Sequence, residues 1–358
     1  MNQINKKPKI SKKELTISNK LISQNSDCFV IAEIGHNHQG SVEICKQMFK
    51  AAKECGVDAV KLQKRHNKHL YTRKYYETPY NSENAFGKTY GLHREALEFD
   101  KKQYQELIDY ARHLGLIFFA TPFDHKSVDF LEDLDMPVYK VASGDLTNIP
   151  LLKYVSETGK PILLSTGGGT LADVKRASAT ILNKHNNLAI LQCTASYPSD
   201  FSELDLSVIS LYHKEFPDNI IGFSAHDNGI AMSVAAFVLG ARIIEKHFTL
   251  NRVMKGTDHT FSIEPVGLRK LVRDLRRVRL ALGDGQKKFY QSEKNAVYKM
   301  GKHVVAARSL AVGKILKNSD LAYKSPADGL QPYYAHKFIG KKLKVSLTKD
   351  SPLKLEYV

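Results

Sequence analysis

The chain has 358 residues, 42% hydrophobic and 25% charged, no tryptophan, and a formal net charge of +16. That length is ample for a large core, and it exceeds by roughly a hundred residues the ~250 that eight β/α units need. The basic residues are dispersed, with neither an RNP-like aromatic motif nor zinc-finger spacing; this argues against nucleic acid and for a solvated surface that also attracts acidic small molecules.

In chain order, residues 1–26 form a basic tail with no apolar core of a secretory signal. From there to residue 282, short β-rich runs alternate with amphipathic stretches, the pattern of parallel βα units. The expected strands are 28–34, 58–63, 116–121, 137–142, 161–165, 188–193, 220–224 and 241–247. Eight is the number that closes a (β/α)8 TIM barrel, so the fold class is α/β. Between Asp100 and Gly115, apolar residues fall at Tyr104, Leu107, Ile108, Ala111 and Leu114, a helical spacing with Gly115 suited to the C-cap. Leu268, Leu271, Val272, Leu275, Val278 and Leu282 form a second stripe, with arginines on the opposite face. One connection, 64–99, is polar, aromatic and weakly periodic; a long insertion after the second strand is expected to be a lid or binding loop. The apolar stretch 230–244 is too short to span a bilayer. Residues 283–300 read as a linker, and 301–358 as a small mostly-β domain with runs at 303–307, 315, 321–323 and 338–343. Cys28, Cys45, Cys55 and Cys193 lack CxxC spacing and fit reduced thiols in a cytoplasm.

A barrel keeps its active site at the C-terminal ends of its strands. Those ends carry Glu33, then Lys61 and Gln63, Thr121, Lys140 with Ser143, Ser165, Tyr197 just beyond the sixth, Ser224 with His226, and Glu245 to His247. His226 and His247 end adjacent strands, ~4.8 Å apart, so their imidazoles are placed to grip one metal ion. Lysines and hydroxyls around the same mouth suit a ligand bearing both a carboxylate and a phosphate. Glu33 is the expected general acid or base. The glycine-rich run 165–170 lacks a P-loop pattern; it either presents backbone N–H groups to a phosphate or forms a plain left-handed turn.

The motifs Ala32-Glu33-Ile34-Gly35-His36-Asn37-His38-Gln39-Gly40, Lys61-Leu62-Gln63, Tyr139-Lys140-Val141-Ala142-Ser143, Gly222-Phe223-Ser224-Ala225-His226, Glu245-Lys246-His247-Phe248-Thr249 and Lys255-Gly256-Thr257-Asp258 resemble the sialic acid synthase family. The segment from Val304 to Lys342 is similar to that family's SAF domain, the antifreeze-like module. The resemblance covers about residues 28–345 and implies condensation of phosphoenolpyruvate with an open-chain N-acetylated amino sugar, N-acetylmannosamine in the first place, with release of phosphate. It implies Mn²⁺ or Mg²⁺ on His226 and His247. Lys61 and Thr121 would take the phosphoenolpyruvate carboxylate, and Lys140, Ser143, Ser165 and Ser224 its phosphate. Gln63, Tyr197 and Asp258 would contact the sugar, and Glu33 would move protons. A cytoplasmic homodimer is implied, with the SAF domain of one chain over the barrel mouth of the other.

Three departures bear on the acceptor. Ala195 stands where some bacterial members have Asn, Ala225 where they have Asp, and Lys324-Ser325-Pro326 where they have an arginine between Lys and Pro. The segments Thr89-Tyr90-Gly91, Leu97-Glu98-Phe99 and Lys255-Gly256-Thr257-Asp258 look closer to the animal form, whose acceptor is N-acetylmannosamine 6-phosphate, and Arg65, Lys68, Arg73, Lys74 or His93 would then meet the sugar phosphate. A 2,4-diacetamido-dideoxy sugar leading to legionaminic or pseudaminic acid is the other alternative. A non-catalytic binding protein with a basic surface is the reading from a different class.

Overall fold

The computed structural model describes residues 13–358, which divide into two compact units, 13–283 and 284–358. In the first unit a short antiparallel hairpin comes first, β1 (Glu14–Ile17) and β2 (Lys20–Ser23). Eight parallel strands follow: β3 (Phe29–Gly35), β4 (Ala59–Lys64), β5 (Ile117–Pro122), β6 (Tyr139–Val141), β7 (Ile162–Ser165), β8 (Leu188–Cys193), β9 (Ile220–Ala225) and β10 (Ile243–His247). They pair in sequence order, and β10 pairs with β3 to close the barrel. All eight expected strands are present, shifted by at most two residues at an end.

The helices start and stop where local chemistry says they should. Asp100 caps the helix Lys101–Leu114 in a reciprocal box with Gln103, and Gly115 ends it at φ 64°. The helix Pro265–Ala281 buries Leu268, Leu271, Val272 and Leu275, as its stripe requires. Tyr104, Leu107 and Ala111 of the first helix and these four residues belong to the same apolar core as the strands.

Two stretches of the first unit differ from expectation. Residues 1–12 of the tail lie outside the described residues, but 14–23 are the hairpin. Its Leu15, Ile17 and Ile22 are buried in the barrel core. Arg242, just before β10, donates to the Gln24 carbonyl, which places this hairpin at the end of the barrel opposite the mouth. Four-residue strands are too short to separate from tail on pattern alone. The 64–99 insertion is built rather than structureless, with short helices Asn67–Leu70, Arg73–Tyr76 and Tyr90–Glu95. Tyr71, Tyr75, Tyr80, Tyr90 and His93 pack edge-to-face or tilted against one another as its own small cluster. Helices of four to six residues cannot display a 3.6-residue period, which is why the pattern was weak.

In the second unit, residues expected to be linker include the helix Lys294–Met300. Beyond it β11 (His303–Ala306) and β12 (Leu321–Lys324) pair antiparallel, and isolated bridges join Leu310 to Leu347 and Ile315 to Lys342. Val304, Leu316, Phe338, Leu343 and Leu353 fill its separate core. Among the described residues, no helix is long and apolar enough to cross a membrane.

Candidate active site at the barrel mouth

Parallel register sets side chains of neighbouring strands at the same height. Glu33 pairs with His247 on one side and Lys61 on the other. Ser224 pairs with Glu245 and Cys193. The period of two then turns Glu245 and His247 inward and Lys246 outward, where its ammonium meets the buried Asp227 carboxylate at 2.9 Å. The result is a cavity of about 440 Å³ at the strand ends. Glu33, Lys61, Gln63, Thr121, Lys140, Ser143, Ser165, Tyr197, Ser224, His226, His247 and Asp258 all line it, so the residues expected to bind metal, phosphoenolpyruvate and the sugar body meet in one place.

The floor is a buried network of two ammoniums and two carboxylates. Lys61 Nζ lies 2.7 Å from Glu33 Oε2 and donates to Thr121 at 2.7 Å. Lys140 Nζ donates to Ser165 at 2.5 Å and lies 3.7 Å from Glu245 Oε1, which also accepts from Ser224 at 3.2 Å. Glu245 stood in the list of strand-end residues without a role, and the structure makes it the carboxylate beside Lys140. Burial and the Glu245 charge raise the Glu33 carboxyl above its ordinary value against the pull of Lys61, while Lys140 and Lys61 together hold Glu245 below its own despite burial. One carboxylate thus stays charged and the other keeps its proton more readily, the split that general acid–base work needs. Burial also lowers Lys140. This ammonium pair is matched internally, and an acidic ligand would compete for it with Glu33 and Glu245.

The imidazoles of His226 and His247 stand 5.4 Å apart between centroids, with the Tyr197 ring 4.3 Å from His226. His226 Nδ1 faces the Thr194 carbonyl at 2.8 Å, which leaves Nε2 with its lone pair for another partner. His247 Nδ1 is buried with no hydrogen-bond partner, its nearest acid being Asp258 Oδ2 at 3.9 Å; burial lowers its pKa to about 3, so the ring is neutral. Burial opposes the charge on His226, but Cys193, the Thr194 carbonyl and Glu245 outweigh it and raise its pKa, so a divalent ion held by the two imidazoles would displace a proton from His226 and none from His247. Among the described residues, no group of three or more His, Cys, Asp or Glu converges as a closed cage.

The glycine run is settled by geometry. Gly168 has φ +74°, the N–H of Gly167 donates to Ser143 Oγ at 3.0 Å, and only Ser165 of the run reaches the cavity. It is a left-handed turn. Of the insertion's basic residues, Arg65 lines the cavity while Lys68, Arg73, Lys74 and His93 do not; Arg94, which sequence reading missed, joins Arg65 there.

The NeuB family model matches residues 48–287, and the SAF domain model matches 302–356. The N-acetylneuraminate-9-phosphate synthase of Homo sapiens is 41% identical over 332 residues, 92% of each chain. The N,N'-diacetyllegionaminic acid synthase of Campylobacter jejuni is 36% identical over 316 residues, 87% of this chain and 94% of that protein. Among solved structures, the N-acetylneuraminic acid synthetase of Leptospira borgpetersenii, determined with citrate, superposes with a TM-score of 0.70 at 30% identity, covering 80% of this chain and 95% of that one.

Proposed function

The chain belongs to the NeuB family, and we propose on that footing that it condenses phosphoenolpyruvate with the aldehyde of an open-chain sugar of the N-acetylmannosamine class, releasing phosphate. The observation that carries this reading is the single cavity in which a carboxylate-and-phosphate set (Lys61, Thr121, Lys140, Ser143, Ser165, Ser224) faces two imidazoles. In the reaction, C3 of the enol forms the new bond to the aldehyde carbon, water adds at C2, and the C2–O bond to phosphate breaks to leave a ketone. Lys61 and Thr121 hold the carboxylate of phosphoenolpyruvate; Lys140 and the serines hold its phosphate as charge develops on the leaving group. Glu33, raised by burial, carries a proton between water and the sugar oxygen. Gln63, Tyr197 and Asp258 orient the acceptor. His226 and His247 would hold Mn²⁺ or Mg²⁺, which when bound supplies Lewis-acid polarisation of the aldehyde oxygen.

The same proposal includes a cytoplasmic homodimer in which the SAF domain of one chain covers the barrel mouth of the other; sedimentation at assay concentration tests the dimer, and a monomer with full activity would count against it. The reaction itself is tested by following phosphate release from phosphoenolpyruvate with Mn²⁺ and each of N-acetylmannosamine, its 6-phosphate and a 2,4-diacetamido-dideoxy sugar. Release with none of them would sink the condensation. His247→Ala is expected to lose metal-dependent turnover and to weaken Mn²⁺ binding by calorimetry while keeping its unfolding temperature; unchanged metal affinity would refute the ligand assignment.

A further inference from the structure

Strand alternation places Lys246 on the outer face of β10, on the same side as Ile244, an ordinary member of the apolar core. A lysine there is costly. Its side chain is 2% exposed, and that of Asp227, its counter-charge, is fully buried. Lys246 Nζ donates to Asp227 Oδ1 at 2.9 Å and to the Asp227 backbone carbonyl at 2.5 Å. Among the described residues, Asp227 Oδ2 has no hydrogen-bond partner. A buried ion pair with one oxygen unanswered gains little over apolar side chains of similar volume. Stability alone does not account for it.

Position along the chain supplies the reason. Lys246 directly precedes His247, and Asp227 directly follows His226. The parallel register of β9 and β10 ends at the Ala225–Lys246 pair, one residue short of both histidines. Beyond that point the two chains turn to opposite neighbours. The His226 carbonyl accepts from the Ser199 N–H at 3.1 Å, and its Nδ1 faces the Thr194 carbonyl at 2.8 Å, both in the connection after β8. His247 instead stays in register with Glu33 of β3, and the Phe248 N–H donates to the Glu33 carbonyl at 2.7 Å. The Lys246 side chain spans the gap that the ladder leaves. It grips the main chain of residue 227 as well as its carboxylate, so it ties the backbone beside one histidine to the backbone beside the other.

We propose that Lys246 and Asp227 are positioning residues for the imidazole pair, a latch on the outer face of the sheet that sets the spacing at which His226 and His247 hold one divalent ion. The inference rests on the reading of those histidines as metal ligands and adds what fixes their separation, 5.4 Å between ring centroids. Neither Lys246 nor Asp227 lines the cavity at the strand ends, so both act through the histidines. With the latch opened, His226 follows the connection after β8 while His247 follows β3, and the two rings answer to different parts of the barrel. Residues that orient metal ligands from behind change metal affinity by about 10- to 100-fold when they are replaced.

The test uses the double replacement Lys246→Met/Asp227→Asn, which removes both charges and strands neither, beside Asp227→Asn alone. Calorimetry on metal-free protein gives the Mn²⁺ affinity, and a second titration without metal gives the affinity for phosphoenolpyruvate. Leu107→Ala controls for lost stability, since Leu107 is buried in the helix Lys101–Leu114 and does not line the cavity. The double variant is expected to bind Mn²⁺ about 10- to 100-fold more weakly and phosphoenolpyruvate as the native protein does, with Asp227→Asn between the two. Leu107→Ala should keep both affinities. Unchanged Mn²⁺ affinity in the double variant overturns the latch, as do equal losses for the two ligands or the same Mn²⁺ loss in Leu107→Ala. Should the double variant not fold, Asp227→Asn decides by the same two affinities. A native protein that binds Mn²⁺ no better than His247→Ala refutes the ligand reading itself, and the latch falls with it; a native protein that does bind better, beside an unaffected double variant, sinks the latch alone.

Discussion

Lys61 shows how a single side chain serves both stability and ligand binding. Its ammonium is buried between Glu33 at 2.7 Å and the Thr121 hydroxyl, with Glu245 at 4.0 Å. Replacing it by methionine keeps the stem and strips the charge, leaving Glu33 with Gln63 as its closest polar partner. Lys61→Met is therefore expected to cost about 3–5 kcal/mol of stability, seen as a lower urea midpoint, because a buried charge loses its counter-charge. In whatever fraction folds, the KM for phosphoenolpyruvate should rise more than that for the sugar; an unchanged KM for phosphoenolpyruvate would remove Lys61 from the carboxylate site. Strand periodicity made this residue visible in advance. It did not disclose the Glu245–Lys140 pair, since nothing in a local pattern says which two of several inward charges will meet.

At the scale of elements, the insertion 64–99 depends on close backbone approach to the loop after β3. Gly40 has φ +75°, and a Cβ there would come within 2.3 Å of the Ala96 carbonyl oxygen. Gly40→Ala must push the end of the insertion away while holding a backbone conformation that L side chains rarely adopt. A loss of about 1–3 kcal/mol is expected, with faster hydrogen exchange across 64–99 than in the barrel strands. Uniform exchange changes over the whole barrel would show instead that the contact is not local. The insertion's existence was legible as an over-long connection, yet its three helices were not. They are held by tyrosine rings packed edge-to-face and tilted, separated by up to nineteen positions (Tyr71 to Tyr90), rather than by any helical stripe.

For the molecule as a whole, the two units differ in how much core they own. The second runs only from Asp284 to Val358, a size at which burial alone gives a thin margin. Its Asp320 carboxylate is buried and accepts from Arg308 at 2.7 and 3.1 Å and from the Lys317 backbone N–H at 3.0 Å. Burial opposes the charge, but the Arg308 and Lys317 hydrogen bonds and Lys314 outweigh it and lower the pKa. A depressed carboxylate stabilises the fold above its unfolded pKa, and that contribution is lost as pH falls through the folded value. The second unit is therefore expected to weaken below about pH 4, the ordinary carboxylate range. Asp320→Asn should lower its unfolding temperature at pH 7 and flatten its response to acid. Native-like acid sensitivity in that variant would assign the effect to other carboxylates.

Sequence by itself determined the alternation that builds the barrel, the cap residues of its helices and the inward set from Glu33 to His247. All of these follow from periods of two or 3.6 and from strand ends, which are properties of neighbouring residues. Tertiary structure decided the rest: the hairpin at 14–23 as part of the barrel core, the partners of each buried charge, and the meeting of His36, Arg65 and Arg94. Those three residues stand up to 58 positions apart, and contact between them is fixed by how a closed sheet and its insertion fold back, not by any spacing along the chain.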